Sequence, residues 1–200
     1  MSRNLCPLYI VDDEVPVLES MAFMLESYGY SVDVYSNGQD FLQSVNLHQA
    51  GCVLLDSRMP EMRGQELHLL MRNQCSPISV IYLTGHGDIP MAVEALKEGA
   101  LDFFQKPVDG NALVAAIDNA MECSLKNQEK QSAKLTLQSL TRREKEVLIL
   151  VVKGMKNQDM ANQLCVSLRT IEVHRSNVMK KLEVESLAAL IHKVGHVIYV

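Results

Sequence analysis

From residue 7 to residue 123 short apolar runs alternate with amphipathic stretches. Leu8 to Val11 is apolar and is closed by Asp12, Asp13 and Glu14, which predicts a buried strand that ends in a polar turn. Pro16 to Ser27 follows, with Val17, Met21 and Leu25 at helical spacing, and Gly29 stops that helix. Val32 to Tyr35 alternates like an edge strand, and Gln39 to Val45 predicts a short helix. Cys52 to Leu55 is a third, fully apolar strand that ends at Asp56, with Pro60 four positions on. After Gly64 a helix through Leu67, Leu70 and Met71 leads to Pro77. Ile78 to Leu83 is the fourth strand, ended by Thr84 and a Gly85-His86-Gly87 turn. A helix from about Asp88 to Lys97 stops at Gly99, Leu101 to Gln105 is the fifth strand, and Val108 to Met121 is the fifth helix. Five strands each followed by a helix imply an α/β doubly wound fold with a five-stranded parallel sheet, because parallel neighbours need crossovers of this kind.

The pattern then changes. Residues 124–138 are polar with scattered apolar positions and predict a linker, helical in part as a continuation of the fifth helix. Beyond it the chain reads as four helices: Thr141 to Lys153 ending at Gly154, Asn157 to Leu164, Leu168 to Leu182, and about Glu185 to Val194. Thr141 and Glu144 have capping-box spacing. The expected organisation is therefore residues 1–123, a linker at 124–138, and a four-helix all-α domain at 139–200.

Charge sharpens this division. Net charge is -5. Residues 1–123 hold six of the basic and 17 of the acidic residues, whereas residues 139–200 hold ten basic and six acidic. An acidic front and a basic back suit different partners, and only the basic part favours nucleic acid. A composition of 48% hydrophobic and 22% charged residues is that of an ordinary globular protein, and no apolar run reaches membrane-spanning length. With no signal-peptide core at the start, a cytoplasmic location and no membrane partner are expected. The five cysteines are scattered and never paired as Cys-x-x-Cys, so neither a disulfide frame nor a zinc site is suggested.

Ligands bind doubly wound sheets at the carboxyl ends of the strands. Asp12, Asp13, Asp56, Thr84 and Lys106 all fall there. Three carboxylates gathered at one edge repel unless neutralised, and a hard divalent ion such as Mg²⁺ suits an all-oxygen set. Lys106 and Thr84 can hold the oxygens of a phosphoryl group on Asp56, because carboxylate is a competent phosphoryl acceptor once its surroundings carry compensating charge. His86, two residues past Thr84, is a candidate for lining the mouth of this site.

In the basic region, Asn157 to Leu164, a turn at Cys165 to Ser167, and Leu168 to Leu182 read as a helix-turn-helix whose second helix enters the DNA major groove. Ser167 is the expected N-cap. On that helix Glu172 can accept from cytosine N4, Val173 can meet a thymine methyl, and Ser176 can bond to either kind of base edge. Arg169, Thr170, Arg175, Lys180 and Lys181 are expected as phosphate contacts.

The motifs Val11-Asp-Asp-Glu14, Leu55-Asp-Ser-Arg-Met-Pro60, Thr84-Gly85 and Lys106-Pro107 resemble the flavodoxin-like receiver domain of two-component response regulators. Leu140-Thr-Arg-Arg-Glu144 and Ser167-Leu-Arg-Thr-Ile-Glu-Val-His-Arg175, with Lys181-Leu182, resemble the LuxR-type helix-turn-helix. Together they are similar to the FixJ/NarL class, and Thr84 to Leu96 is similar to its FixJ branch. The resemblance implies that Asp56 is the phosphoacceptor and that Mg²⁺ sits on Asp12, Asp13, Asp56 and the backbone carbonyl of Arg58. Thr84 and Lys106 then contact the phosphoryl group, Phe103 is the switch aromatic, and Lys106-Pro107 is cis. It further implies a sensor histidine kinase and promoter DNA as partners, a homodimer on phosphorylation, RNA polymerase as a further candidate partner, and no enzymatic activity beyond phosphorylation and dephosphorylation at Asp56. Ser57 departs from the family's usual apolar residue after the acceptor. Two other readings stay open on the residues alone: a metal-dependent phosphatase with Asp56 as covalent nucleophile, and a constitutive DNA-binding protein.

Overall fold

The computed structural model describes residues 6–85 and 89–198, with only the backbone described at 89–92 and 195–198. The chain divides into two compact units, residues 1–128 and 129–200. In the first, β1 (Leu8–Val11), α1 (Val15–Ser27), β2 (Val32–Tyr35), α2 (Gly38–Ser44), β3 (Cys52–Asp56), α3 (Gly64–Asn73), β4 (Ser79–Thr84), α4 (Ile89–Lys97), β5 (Asp102–Gln105) and α5 (Gly110–Gln138) follow in order, with α5 beyond residue 128 counted in the second unit. The sheet is wholly parallel with order β2-β1-β3-β4-β5. Strand order reverses between β1 and β3, so a crevice opens at their carboxyl ends, where Asp12 and Asp56 lie.

The sheet carries a core on each face. Leu8, Ile10, Leu54, Ile81 and Leu83 pack on α1 and α5 through Leu18, Leu25, Leu113 and Ile117. Tyr9, Val11, Val53, Leu55 and Tyr82 pack on the opposite side with Phe41, Leu67, Met71 and Ala95. Strands β3 and β4 are buried along their whole length, which is why their sequences are continuous apolar runs without alternation.

Two helical faces differ from the sequence expectation. In α1, Leu18 is buried with Met21 and Leu25, and Val17 only half-buried. In α3, His68 is buried beside Leu67 and Met71, and Leu70 faces solvent. The helical continuation expected in part past Met121 extends through all of residues 124–138. Fully buried Ser124 anchors it: its hydroxyl donates to the Pro77 carbonyl at 2.7 Å and accepts from Gly51 N–H at 2.9 Å.

The second unit holds α6 (Arg142–Val152), α7 (Asn157–Leu164), α8 (Leu168–Lys181) and α9 (Leu187–Ile198). Val147, Leu148, Met160, Ile171, Val178, Leu182, Leu190 and Val194 form its core. The capping box at α6 is present, with Glu144 Oε2 accepting from Thr141 N–H at 2.8 Å. Among the described residues no helix is long and apolar enough to cross a membrane.

Candidate functional site

Asp56 is the last residue of β3 and is only 6% exposed. Asp12 follows β1 and is fully buried. Buried carboxylates need compensating charge and donors. Lys106, just past β5, supplies the charge: its Nζ donates to Asp12 Oδ2 at 2.5 Å and to Asp56 Oδ1 at 2.7 Å. The remaining oxygens are also engaged, Asp12 Oδ1 by Glu14 N–H at 3.0 Å and Asp56 Oδ2 by Arg58 N–H at 2.6 Å. Burial alone would lower the Lys106 pKa, but the hydrogen bonds to Asp12 and Asp56 outweigh it and hold the ammonium above its ordinary value. Lys106 is therefore cationic at neutral pH. Its backbone N–H donates to the Thr84 carbonyl at 2.8 Å, which ties the ends of β4 and β5 beside the carboxylates. The Lys106–Pro107 peptide is cis.

The structure thus brings Asp12, Asp56 and Lys106 together directly, with Thr84, 4% exposed, on the neighbouring strand. Asp13 does not join them. It is exposed and lines an open cavity of about 740 Å³ with Ser57, Arg58, Met59, Arg63 and Glu94. Among the described residues no three His, Cys, Asp or Glu side chains are gathered around one point, and the Lys106 ammonium holds the Asp12 and Asp56 carboxylates together. The donor set still fits Mg²⁺. It is all oxygen, without thiolate or imidazole, and Asp12, Asp13, Asp56 and Lys106 sum to two negative charges. Phe103 lies half-buried on β5, packed against the core that contains Tyr82, its register partner. His86 lies outside the described residues.

Two residues that sequence reasoning passed over sit just beneath. Tyr82 OH donates to the Gly64 carbonyl at 3.3 Å and lies 3.2 Å from His68 Nδ1. A Cβ built on Gly64 would lie 2.3 Å from the Asp56 carbonyl oxygen, so only glycine lets α3 begin against the end of β3. A histidine in an apolar helical pattern carries no signal of this in sequence.

In the second unit Cys165 closes α7 in the left-handed conformation (φ 52°), and Ser167 caps α8 by accepting from Thr170 N–H at 3.1 Å. Arg169, Glu172, Val173, Ser176 and Lys180 are all exposed, at helical spacings that place them on one stripe of α8. Val173 is 51% exposed, an apolar residue presented to solvent among polar ones. Three of the expected contact residues also have partners within the unit. Lys181 Nζ donates to buried Glu144 Oε2 at 2.7 Å, which pairs its charge with that carboxylate while the side chain stays 38% exposed. Arg175 Nη1 donates to Asn157 Oδ1 at 2.5 Å, joining α8 to the start of α7. Thr170 Oγ1 bonds Ser167 Oγ at 2.7 Å as part of the cap.

Comparison with known proteins agrees with both units. Residues 8–118 match the family model of the response regulator receiver domain, and residues 138–194 that of the bacterial regulatory proteins of the luxR family. The tetrathionate response regulatory protein TtrR of Salmonella typhimurium is 45% identical over 186 residues, 93% of this chain and 90% of that protein. The transcriptional regulatory protein FixJ of Rhizobium meliloti is 40% identical over 188 residues, 92% of each chain. Among solved structures, the response regulator StyR is similar with a TM-score of 0.70 at 36% identity, covering 95% of this chain and 98% of that one. Full-length FixJ from B. japonicum is similar with a TM-score of 0.57 at 36% identity, covering 95% and 97%. With a receiver and a LuxR-type helix-turn-helix in one polypeptide, the chain belongs to the FixJ/NarL class of two-component response regulators, whose function is phosphorylation-controlled transcription regulation.

Proposed function

We propose that Asp56 is the phosphoryl acceptor and that its modification controls DNA binding by α8. The observation that carries this reading is the single ammonium of Lys106 shared by Asp12 and Asp56 at the carboxyl edge of the sheet. In the transfer, one carboxylate oxygen of Asp56 forms a bond to phosphorus while the bond from phosphorus to the donor breaks. With a sensor histidine kinase as donor, the leaving group is the imidazole of a phosphohistidine. Lys106, already cationic and oriented, then compensates the charge added at Asp56. The Thr84 hydroxyl is the neighbouring donor to a phosphoryl oxygen, and Phe103 follows its movement. Asp12, Asp13, Asp56 and the Arg58 carbonyl are the residues that would hold Mg²⁺, which when bound supplies further neutralisation of the transferring group.

On the DNA side, Glu172, Val173 and Ser176 read base edges, while Arg169 and Lys180 contact phosphates. Phosphorylation favours a homodimer that places two such helices on paired half-sites, with RNA polymerase as a downstream partner in a cytoplasmic regulator. The chemistry of the chain is confined to gain and loss of the phosphoryl group on Asp56, with no separate substrate turned over.

The test is labelling with radioactive acetyl phosphate and Mg²⁺. Wild-type chain takes up one equivalent, and Asp56→Asn takes up none. Full labelling of Asp56→Asn rules the assignment out.

A further inference from the structure

The loop from Ser57 to Arg63 leaves the end of β3 and returns at Gly64, the first residue of α3. Its two ends touch, since Gly64 lies against the Asp56 carbonyl. The loop is held in part by Arg58 N–H on Asp56 Oδ2, by Met62 N–H on the Pro60 carbonyl, both at 2.6 Å, and by Ser57 N–H on the Leu83 carbonyl of β4 at 3.1 Å. A further restraint comes from the same strand. Tyr82, 1% exposed on β4, sends its hydroxyl to the Gly64 carbonyl, and His68, 4% exposed and one turn along α3, contacts the same hydroxyl.

The protons of this group can be counted. A phenol has one proton, and when it goes to the Gly64 carbonyl the phenolic oxygen accepts from His68 Nδ1–H. Burial, and secondarily the charge of Arg72, push the His68 pKa down to about 4, so the ring is neutral at physiological pH, and its Nδ1–H tautomer is the one that completes this arrangement. Tyr82 therefore joins two points of α3 one turn apart to β4. It also stands two residues before Thr84 on the same face of β4 and pairs in register with Phe103.

We propose that Tyr82 and His68 form a clip that positions the loop between Asp56 and Gly64, and through it the acceptor carboxylate and the Arg58 backbone. They are positioning residues, because neither touches Asp56 by side chain. The inference rests on the assignment of Asp56 as acceptor, and it concerns how the loop that carries the chemistry is held.

The variants are Tyr82→Phe, which keeps the ring and removes the hydroxyl, His68→Leu, their double, and His68→Asn, which restores an N–H near the place of Nδ1. Two quantities are read on the full chain. One is the Mg²⁺ concentration that half-saturates labelling by acetyl phosphate. The other, in metal-free protein, is the exchange rate of the Arg58 amide hydrogen by nuclear magnetic resonance. Tyr82→Phe and His68→Leu each raise both by about threefold to tenfold, the change one hydrogen bond supports. The double variant is no worse than either single one, because both remove the same clip. His68→Asn returns both quantities toward wild type, a rescue that simple cavity filling does not give. Values within about twofold of wild type in Tyr82→Phe, or effects that multiply in the double variant, overturn the clip. Loss of the acceptor reading is separately visible, because it appears as labelling that persists in Asp56→Asn, and the Arg58 exchange rate does not depend on it.

Discussion

Gly64 is where a single methyl group would do the most harm near the acceptor. The methyl would meet the backbone of one peptide unit, Asp56 O at 2.3 Å and Ser57 Cα at 3.2 Å, so a side-chain rotation cannot relieve it. Gly64→Ala is expected to destabilise the first unit by about 1–3 kcal/mol, as overpacking does, and to slow acetyl-phosphate labelling by displacing Asp56. Urea denaturation and labelling rates measure the two effects. In the second unit Glu144 plays a comparable structural part. Its carboxyl is held below the usual range first by the hydrogen bond from Lys181 and then by Thr141 N–H. A depressed carboxylate contributes stability above its unfolded pKa of about 4.3 and loses that contribution as pH falls through the folded value. Lys181→Met is therefore expected to cost about 1 kcal/mol at neutral pH, a modest figure because Lys181 is itself 38% exposed. It should also flatten the loss of stability below about pH 5, which thermal unfolding across pH tests.

At the scale of elements, the strand ends told most in advance. β3 and β4 are legible because residues buried on both faces must all be apolar, and the polar residue that ends each run must sit at the crevice. Contacts distant in sequence are what pattern alone misses. His68 is buried in place of Leu70 because Tyr82, 14 residues on, offers it a partner. For α5, whose continuation past Met121 is expected in part, what pattern cannot show is the tie of Ser124 to Gly51 and Pro77. Lys181 looks like any basic residue at the end of a recognition helix until Glu144, 37 residues away, is seen to hold it. The difference between two adjacent lysines on α8 follows from this. Lys180 is exposed on the proposed DNA-facing stripe, so Lys180→Ala is expected to weaken all duplexes alike and reduce the salt slope of binding by about one. Glu172→Ala should instead alter affinity at one base position, because a base-edge contact carries sequence information. Fluorescence anisotropy over a salt series and a panel of single base-pair changes separates them, and a uniform loss from Glu172→Ala would contradict its assignment.

For the whole molecule, the division of charge noted in the sequence corresponds to a division of labour. The acidic unit offers a crevice fit for a divalent ion and a phosphoryl group, and the basic unit offers an exposed helical stripe. Chemistry at Asp56 is proposed to govern what that stripe does. It is tested most directly by equilibrium binding of the full chain to duplex DNA selected from random sequence by the phosphorylated protein, with and without acetyl phosphate and Mg²⁺, alongside Asp56→Asn. Phosphorylation is expected to tighten wild-type binding by about 5- to 150-fold, the span of ordinary allosteric couplings, and to leave Asp56→Asn unchanged. Equal affinity of phosphorylated and unphosphorylated wild type, or the same tightening in Asp56→Asn, would contradict it.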